Sequence, residues 1–264
     1  MIIHTVRIPY KFGETIKVDI YADIHYGNTA CDVDGLKRDL EEDPDSYGLG
    51  LGDWFDAVVV PDPRYRKSID ASVGDDIIDE QIYGLEDIIF SRKPADKWLG
   101  CGIGNHEDTI TRHCGTNIMK RFCQRNGVQL LGYSGLLRLA LSDGGNRGRS
   151  IVIRYHHGWG GGSRTLGADL TKYSRDVAYW KADAFVYGHV HRRQADKIPR
   201  MGLSGKELVD MDMPIAICGT YLKTYTEGYD STYSERAGYP PTTIGKVTLN
   251  IKPKRYWVKM WIDT

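Results

Sequence analysis

The sequence predicts an α/β protein in which two sheets pack between helices. Strand-like and helix-like segments alternate through the first two thirds of the chain, and several short strands follow beyond residue 200. In addition, five short motifs rich in Asp, His and Asn each follow a predicted strand. That is where ligand sites form in open α/β sheets, outside the carboxyl ends of the strands.

Ile16 to Ala22 alternates and is β-branched, which predicts a strand ending at Asp23. Val33 to Glu42 has the pattern of a short polar helix, stopped by Pro44. Tyr47 to Leu51 is an apolar run ending at Gly52-Asp53, a second strand. Pro61, Pro63 and several charges make 56–66 a loop. Asp75 to Arg92 places Ile77, Ile78, Ile82, Leu85, Ile88 and Ile89 near helical spacing, so a helix is expected despite Gly84. Trp98 to Ile103 is a third strand. Gly115 to Asn126 is expected to be helical, with Gly127 as its stop. Val128–Leu131, Leu136–Leu141 and Ile151–Tyr155 are strands, the last two joined by a turn at Asp143–Asn146. Asp169 to Trp180 predicts a helix, and Ala184 to Tyr187 a strand running into Gly188-His189. Lys246–Ile251 and Tyr256–Trp261 close the chain as strands.

A length of 264 residues fits one large domain, with a cap or insert expected at 56–95 and a strand-rich C-terminal part at 200–264. Lys plus Arg equals Asp plus Glu, so the formal net charge is zero and nothing global points to nucleic acid or an anionic membrane. Five Cys, an odd number without a CxxC, argue for reduced thiols rather than a disulfide framework. Met1 to Gly13 has no apolar core of a secretory signal, and no stretch approaches the roughly 18 apolar residues of a membrane span. A soluble, cytoplasmic protein without membrane contact is expected.

The five motifs are Asp23-Ile24-His25, Gly52-Asp53-Trp54-Phe55-Asp56, Gly104-Asn105-His106-Glu107, His156-His157-Gly158 and Gly188-His189-Val190-His191. Singly each has an ordinary explanation, such as a capped turn or a Gly-Asp turn. Together they supply carboxylates, an amide oxygen and imidazoles, a donor set suited to divalent metals and free of thiolate. Their separations in sequence are 30, 52 and 52 residues from Asp23 to Asp53, Asn105 and His157 in turn, so only the sheets can bring them together. Two metals about 3.5–4 Å apart are a standard device for hydrolysing phosphate esters.

The ordered set D-x-H, G-D-x-x-D, G-N-H-E, H-G and G-H-x-H resembles the calcineurin-like metallophosphoesterases, over Asp23 to His191. The resemblance implies a four-layer α/β/β/α sandwich of two mixed sheets flanked by helices, with two divalent ions (Mn, Fe or Zn, with Mn expected in vitro). It implies Asp23, His25, Asp53 and His191 as ligands of the first ion and Asn105, His157 and His189 as those completing the second, with Asp53 bridging. His156 and His157 both precede Gly158; the family pattern sets the ligand next to the glycine, which selects His157. His106 would not ligate but would approach the phosphate, donating a proton or hydrogen bond to the developing charge or the leaving group, while Asp53 serves the reaction by holding both ions. Glu107, or Asp108 in its place, and Asp56 are candidates to accept the outer ring N–H of a ligand histidine.

The substrate is less legible. Arg164, Lys172, Arg175, Arg192 and Arg193 lie near the last motifs and suit phosphate oxygens. Gly158–Ser163 is a glycine-rich run expected to form a mobile loop at the site. Gly219 to Pro241 holds five Tyr with Lys223 and Arg236, and resembles a segment of phage and bacterial metallophosphoesterases described as exonuclease-like. Tyr rings interleaved with cations suit stacking on single-stranded bases, and equally suit loop packing. The expected function is hydrolysis of a phosphate ester, preferentially a diester, with nucleic acid as a candidate partner. Its alternatives are a phosphomonoesterase acting on a small nucleotide or phosphoprotein, and a non-catalytic binding protein that keeps the fold. Nothing in the sequence sets the oligomeric state.

Overall fold

Strands and helices follow the apolar pattern closely in the computed structural model of the chain, which describes residues 1–57, 77–144, 148–163, 165, 167–228, 232–255 and 257–264. The chain opens with β1 (Ile2–Pro9) and β2 (Ile16–Tyr21), then α1 (Val33–Glu41), β3 (Tyr47–Gly50), α2 (Ile77–Phe90) and β4 (Trp98–Gly102). Two helices follow, α3 (Asn105–Cys114) and α4 (Ile118–Asn126), then β5 (Leu130–Gly132), β6 (Ser134–Ser142) and β7 (Gly148–His156). After α5 (Ala168–Ser174) and a short 3-10 turn come β8 (Ala184–Tyr187), β9 (Gln194–Ile198), β10 (Met201–Ser204), β11 (Glu207–Asp210) and β12 (Met213–Ile217). The short α6 (Tyr233–Arg236), β13 (Val247–Pro253) and β14 (Val258–Asp263) complete it.

Two six-stranded mixed sheets result, ordered β1-β6-β7-β8-β12-β9 and β14-β13-β2-β3-β4-β5. Their facing sides share one core, in which Val18, Ile20, Leu49 and Leu249 of the second sheet meet Leu137, Leu139, Ile153 and Val186 of the first. On the outer side of the second sheet, Leu36, Leu40, Leu85, Ile89, Ile110 and Phe122 bring α1 to α4 onto Tyr21, Trp98 and Cys101. On the outer side of the first, Tyr173 of α5 packs on Phe185, Tyr187 and Ile215. Helices, sheet, sheet and helix therefore form the four layers expected.

The helix ends are encoded locally. The Asp32 carboxylate caps α1 by accepting the Gly35 N–H at 3.3 Å, and Asn117 caps α4 by accepting the Lys120 N–H at 2.8 Å. One expectation needs correcting here. Gly115 does not begin a helix; at φ +65° it ends α3, and the next helix starts at Ile118. The third motif, Gly104-Asn105-His106-Glu107, thus passes from β4 straight into a helix rather than into a loop. Sequence periodicity also missed β1 and β9, both edge strands with one polar side.

Within the segment 56–95, residues 58–76 lie outside the described residues, while α2 packs into the helical layer through Ile82, Leu85, Ile88 and Ile89. Of the strands beyond 200, β12 lies inside the first sheet and β13 beside β2 in the second, while β10 and β11 form a separate two-stranded ribbon. Among the described residues, no helix is long and apolar enough to cross a membrane.

The topology sets up the site. β2, β3 and β4 run parallel and adjacent, and so do β7, β8 and β12. All five motifs leave the carboxyl ends of these strands, at one rim of the sandwich.

Candidate metal centre

Tight turns aim the polar side chains inward. Asp23, His25, Asp53, His189 and His191 adopt φ of +53°, +51°, +53°, +76° and +56°, and Ala57 is the one other described non-glycine residue with positive φ. Such backbone costs roughly 1–3 kcal/mol per residue and persists where the surroundings fix it. Here the fixing is visible: Asp23 N–H donates to Gly52 O, and His25 N–H to Asp53 O, both at 3.0 Å. Gly104 is required by close approach, since a Cβ there would stand 2.0 Å from Asp53 Oδ1.

The described residues hold three groups of donors, one of them His25, Asp56 and His106, and the other two contain the expected ligands. Donor atoms of Asp23, His25 and His191 lie within 4.8 Å of one another, and so do those of Asp53, His157 and His189. In the first group the Nε2 atoms of His25 and His191 are 3.1 Å apart, and His191 Nε2 is 3.5 Å from Asp23 Oδ1. In the second, His157 Nε2 is 3.3 Å from Asp53 Oδ2 and 3.0 Å from Asn105 Oδ1. Asp53 Oδ2 also lies 3.9 Å from His25 Nε2, so this carboxylate reaches both groups. All seven residues expected as ligands therefore stand together, drawn from both sheets.

The donor set fits divalent cations. Asp23 Oδ1 is buried without a hydrogen-bond partner, a costly state for a carboxylate oxygen that a cation would relieve. Two imidazole nitrogens sharing one ion at about 2.1 Å each come to about 3–3.4 Å of each other, as His25 and His191 do. Outer contacts set the rings: His157 Nδ1 is 3.1 Å from Leu51 O, a carbonyl that can only accept, so Nε2 is left as the donor atom for a metal.

Burial and charge act against each other here. Burial pushes His25 well below the usual histidine range, reinforced by His106. His157 is also buried, yet the charge and hydrogen bond of Asp53 overcome that and raise it to about 9. Asp53, despite burial, is held well below the carboxylate range, first by His157 and then by His106. The His157 imidazolium and the Asp53 carboxylate thus stabilise each other's charged forms.

Glu107 has a different part from the one expected. It is buried, and its carboxylate accepts four backbone N–H groups: Trp54 at 2.6 Å, Gly104 at 2.8 Å, and Asp53 and Phe55 at 3.1 Å. It binds the two turns carrying Asp53 and Asn105 to each other and does not orient a histidine. Asp108 instead pairs with Arg112 at 2.5 Å. Asp56 Oδ1 accepts from Asn28 Nδ2 at 3.1 Å and stands 3.8 Å from His25 Nδ1, beyond a hydrogen bond. His106 packs its ring 4.5 Å from that of His25 and sets Nδ1 2.5 Å from Asp56 O, while its N–H donates to Asp53 Oδ1 at 2.9 Å. His156, the last residue of β7, packs its ring on Trp159, and its Nδ1 accepts the Gly158 N–H at 2.8 Å.

Three of the cations near the last motifs, Lys172, Arg192 and Arg193, are engaged elsewhere. Lys172 donates to Trp159 O at 2.9 Å and Gly161 O at 3.3 Å, Arg192 donates to Ser163 O, and Ser163 N–H donates to Asp169 Oδ1 at 2.7 Å. They tie down the glycine-rich run 158–163, which is tethered rather than loose. Arg193 donates to Lys246 O at 3.4 Å, Arg175 is exposed, and Arg164 lies outside the described residues. In the tail, Tyr221 is fully buried with its hydroxyl on Asp39 at 2.6 Å, so it packs the fold and offers no stacking face. Lys223 pairs with Asp32 at 3.1 Å. Tyr229 and the side chain of Tyr233 lie outside the described residues. Sequence reasoning also missed Thr220, buried, which donates to Asp23 O at 2.7 Å and braces the first turn from the tail.

No family model matches the chain, and no curated protein matches it. Solved structures do. Vps29 from Entamoeba histolytica, crystallised in complex with zinc, is 11% identical over 94% of this chain and 98% of its own, with a TM-score of 0.37. GAP50, the anchor in the inner membrane complex of Plasmodium, is 9% identical over 94% of this chain and 84% of its own, with a TM-score of 0.45. A conserved uncharacterized protein of Streptococcus pneumoniae, described as a predicted phosphoesterase, is 12% identical over 94% and 89%, with a TM-score of 0.32.

Proposed function

We propose that this chain is a metal-dependent phosphoesterase. One observation carries the proposal: two adjoining groups of hard-to-borderline donors, each drawn from both sheets, with the Asp53 carboxylate within reach of both. In this reading Asp23, His25, Asp53 and His191 hold one divalent cation, and Asp53, Asn105, His157 and His189 hold a second. Mixed nitrogen and oxygen donors accept manganese, iron or zinc. When bound, such a pair supplies Lewis-acid charge to a phosphoryl group and makes water a nucleophile near neutral pH.

The chain's own residues account for the remaining chemistry. The seven donors fix where charge is delivered, with no reorganisation needed because the turns are braced by Glu107 and Thr220. His106 faces the carbonyl of Asp56 with Nδ1. A carbonyl only accepts, so Nδ1 carries a proton and Nε2 is the atom that exchanges one with the leaving group.

For substrate we favour a phosphodiester, with nucleic acid as the candidate class. Tyr225 and Tyr239 support it: both are half exposed, at 50% and 51%, and the Tyr225 hydroxyl donates to Tyr239 O at 3.0 Å. The test compares manganese-dependent hydrolysis of bis-p-nitrophenyl phosphate with that of p-nitrophenyl phosphate, alongside labelled single-stranded DNA and an Asp53→Asn control. Preference for the diester and cleavage of DNA support the reading. Preference for the monoester reassigns the chain to a phosphomonoesterase, and no hydrolysis with any divalent metal leaves a binding protein.

A further inference from the structure

The β10–β11 hairpin belongs to neither large sheet and carries its apolar residues on the outside. Met201 pairs with Asp210 and Leu203 with Leu208, so these four side chains share one face of the ribbon. Met201, Leu203 and Leu208 are 61%, 75% and 68% exposed. The opposite face, with Gly202 and Val209, is partly covered by the chain itself: Met211 lies on Gly202, where a Cβ would meet its Sδ at 2.0 Å. This inverts the usual order of apolar inside and polar outside. An isolated two-stranded ribbon is marginally stable in water, and a contiguous exposed apolar patch marks an interaction surface.

We propose that a second copy of this chain docks on the Met201, Leu203 and Leu208 face. The charges around it favour self-association over other occupants. Exposed Lys206 stands at the tip of the ribbon, and exposed Asp210 at its base on the apolar face. Two ribbons laid face to face and antiparallel across a two-fold axis bring the leucines of one against those of the other, and each Lys206 toward Asp210 of the other copy. The formal net charge is zero, so two copies meet without net repulsion. The exposed acidic residues of the ribbon, Glu207 and Asp210, oppose an anionic lipid surface or nucleic acid, while Asp212 is paired with Lys197 at 2.5 Å.

Sedimentation equilibrium of the full chain, from low micromolar upward, tests this. A monomer–dimer equilibrium is expected. Leu203→Asp, made at an exposed position and checked by an unchanged melting curve, raises the dissociation constant at least about tenfold. Lys206→Glu and Asp210→Lys each weaken the dimer, and the two together restore it. A wild-type chain that stays monomeric throughout, a dimer indifferent to Leu203→Asp, or wild-type flotation with phosphatidylcholine vesicles that Leu203→Asp abolishes would overturn the proposal.

Discussion

Glu107 Oε2 accepts the backbone N–H of Asp53 at 3.1 Å, so one buried carboxylate holds the turn that presents another. The same side chain holds Gly104, one residue before Asn105. Glu107→Gln puts an amide NH₂ among donors that need acceptors. We expect a folded protein whose divalent-cation affinity falls about 10–100-fold, measured by calorimetric titration with manganese. Unchanged affinity would make Glu107 a capping residue only.

His157 gives the site a definite pH dependence. Its folded value, raised to about 9 by Asp53 against burial, lies above the ordinary histidine value of about 6.5. The protonated form therefore stabilises the metal-free fold, fully below about 6.5, and this contribution is lost as pH rises through about 9. Melting temperature of the metal-free protein should fall between pH 7 and 9. A metal needs the neutral ring, so manganese affinity should rise about tenfold per pH unit over the same range, with proton release on binding. Affinity independent of pH there would contradict the His157–Asp53 pairing.

Much of this was written in the sequence, and what was not has a physical cause. Strands β2, β3, β4 and β8 were legible because they are short buried runs ending at glycine or aspartate. The convergence of Asp23, Asp53, Asn105 and His189 was legible because each follows such a run. Helix α3 was not, since only Ile110 is both apolar and buried along it and its first turn is the polar motif itself. The part played by Glu107 was hidden because three of its four partners are backbone N–H groups brought near only by the turn at 53–55. Tyr221 and Arg192 have the composition of substrate contacts, and only packing shows them turned to Asp39 and to Ser163.

His156 and His157 are adjacent in sequence, yet His156 ends β7 with Nδ1 on the Gly158 N–H, while His157 lies just past it with Nε2 3.3 Å from Asp53. His157→Ala should remove most of the second cation, read as metal content per chain. His156→Ala should leave the metal content unchanged and cost about 1 kcal/mol of stability through the lost Gly158 hydrogen bond. The reverse ranking would move the ligand to His156.

His106 donates its backbone N–H to Asp53 Oδ1, a bond that alanine keeps, and it is not among the seven donors. His106→Ala should therefore keep both cations while lowering turnover about 10²–10⁴-fold, the usual scale for a lost proton donor. Loss of metal from this variant would make His106 a ligand.

Anomalous diffraction from crystals grown with manganese tests the central claim most directly. Two peaks per chain are expected, one bounded by Asp23, His25 and His191, the other by Asp53, Asn105, His157 and His189, with Asp53 touching both. No peak at this rim, or peaks held by other residues, would contradict it.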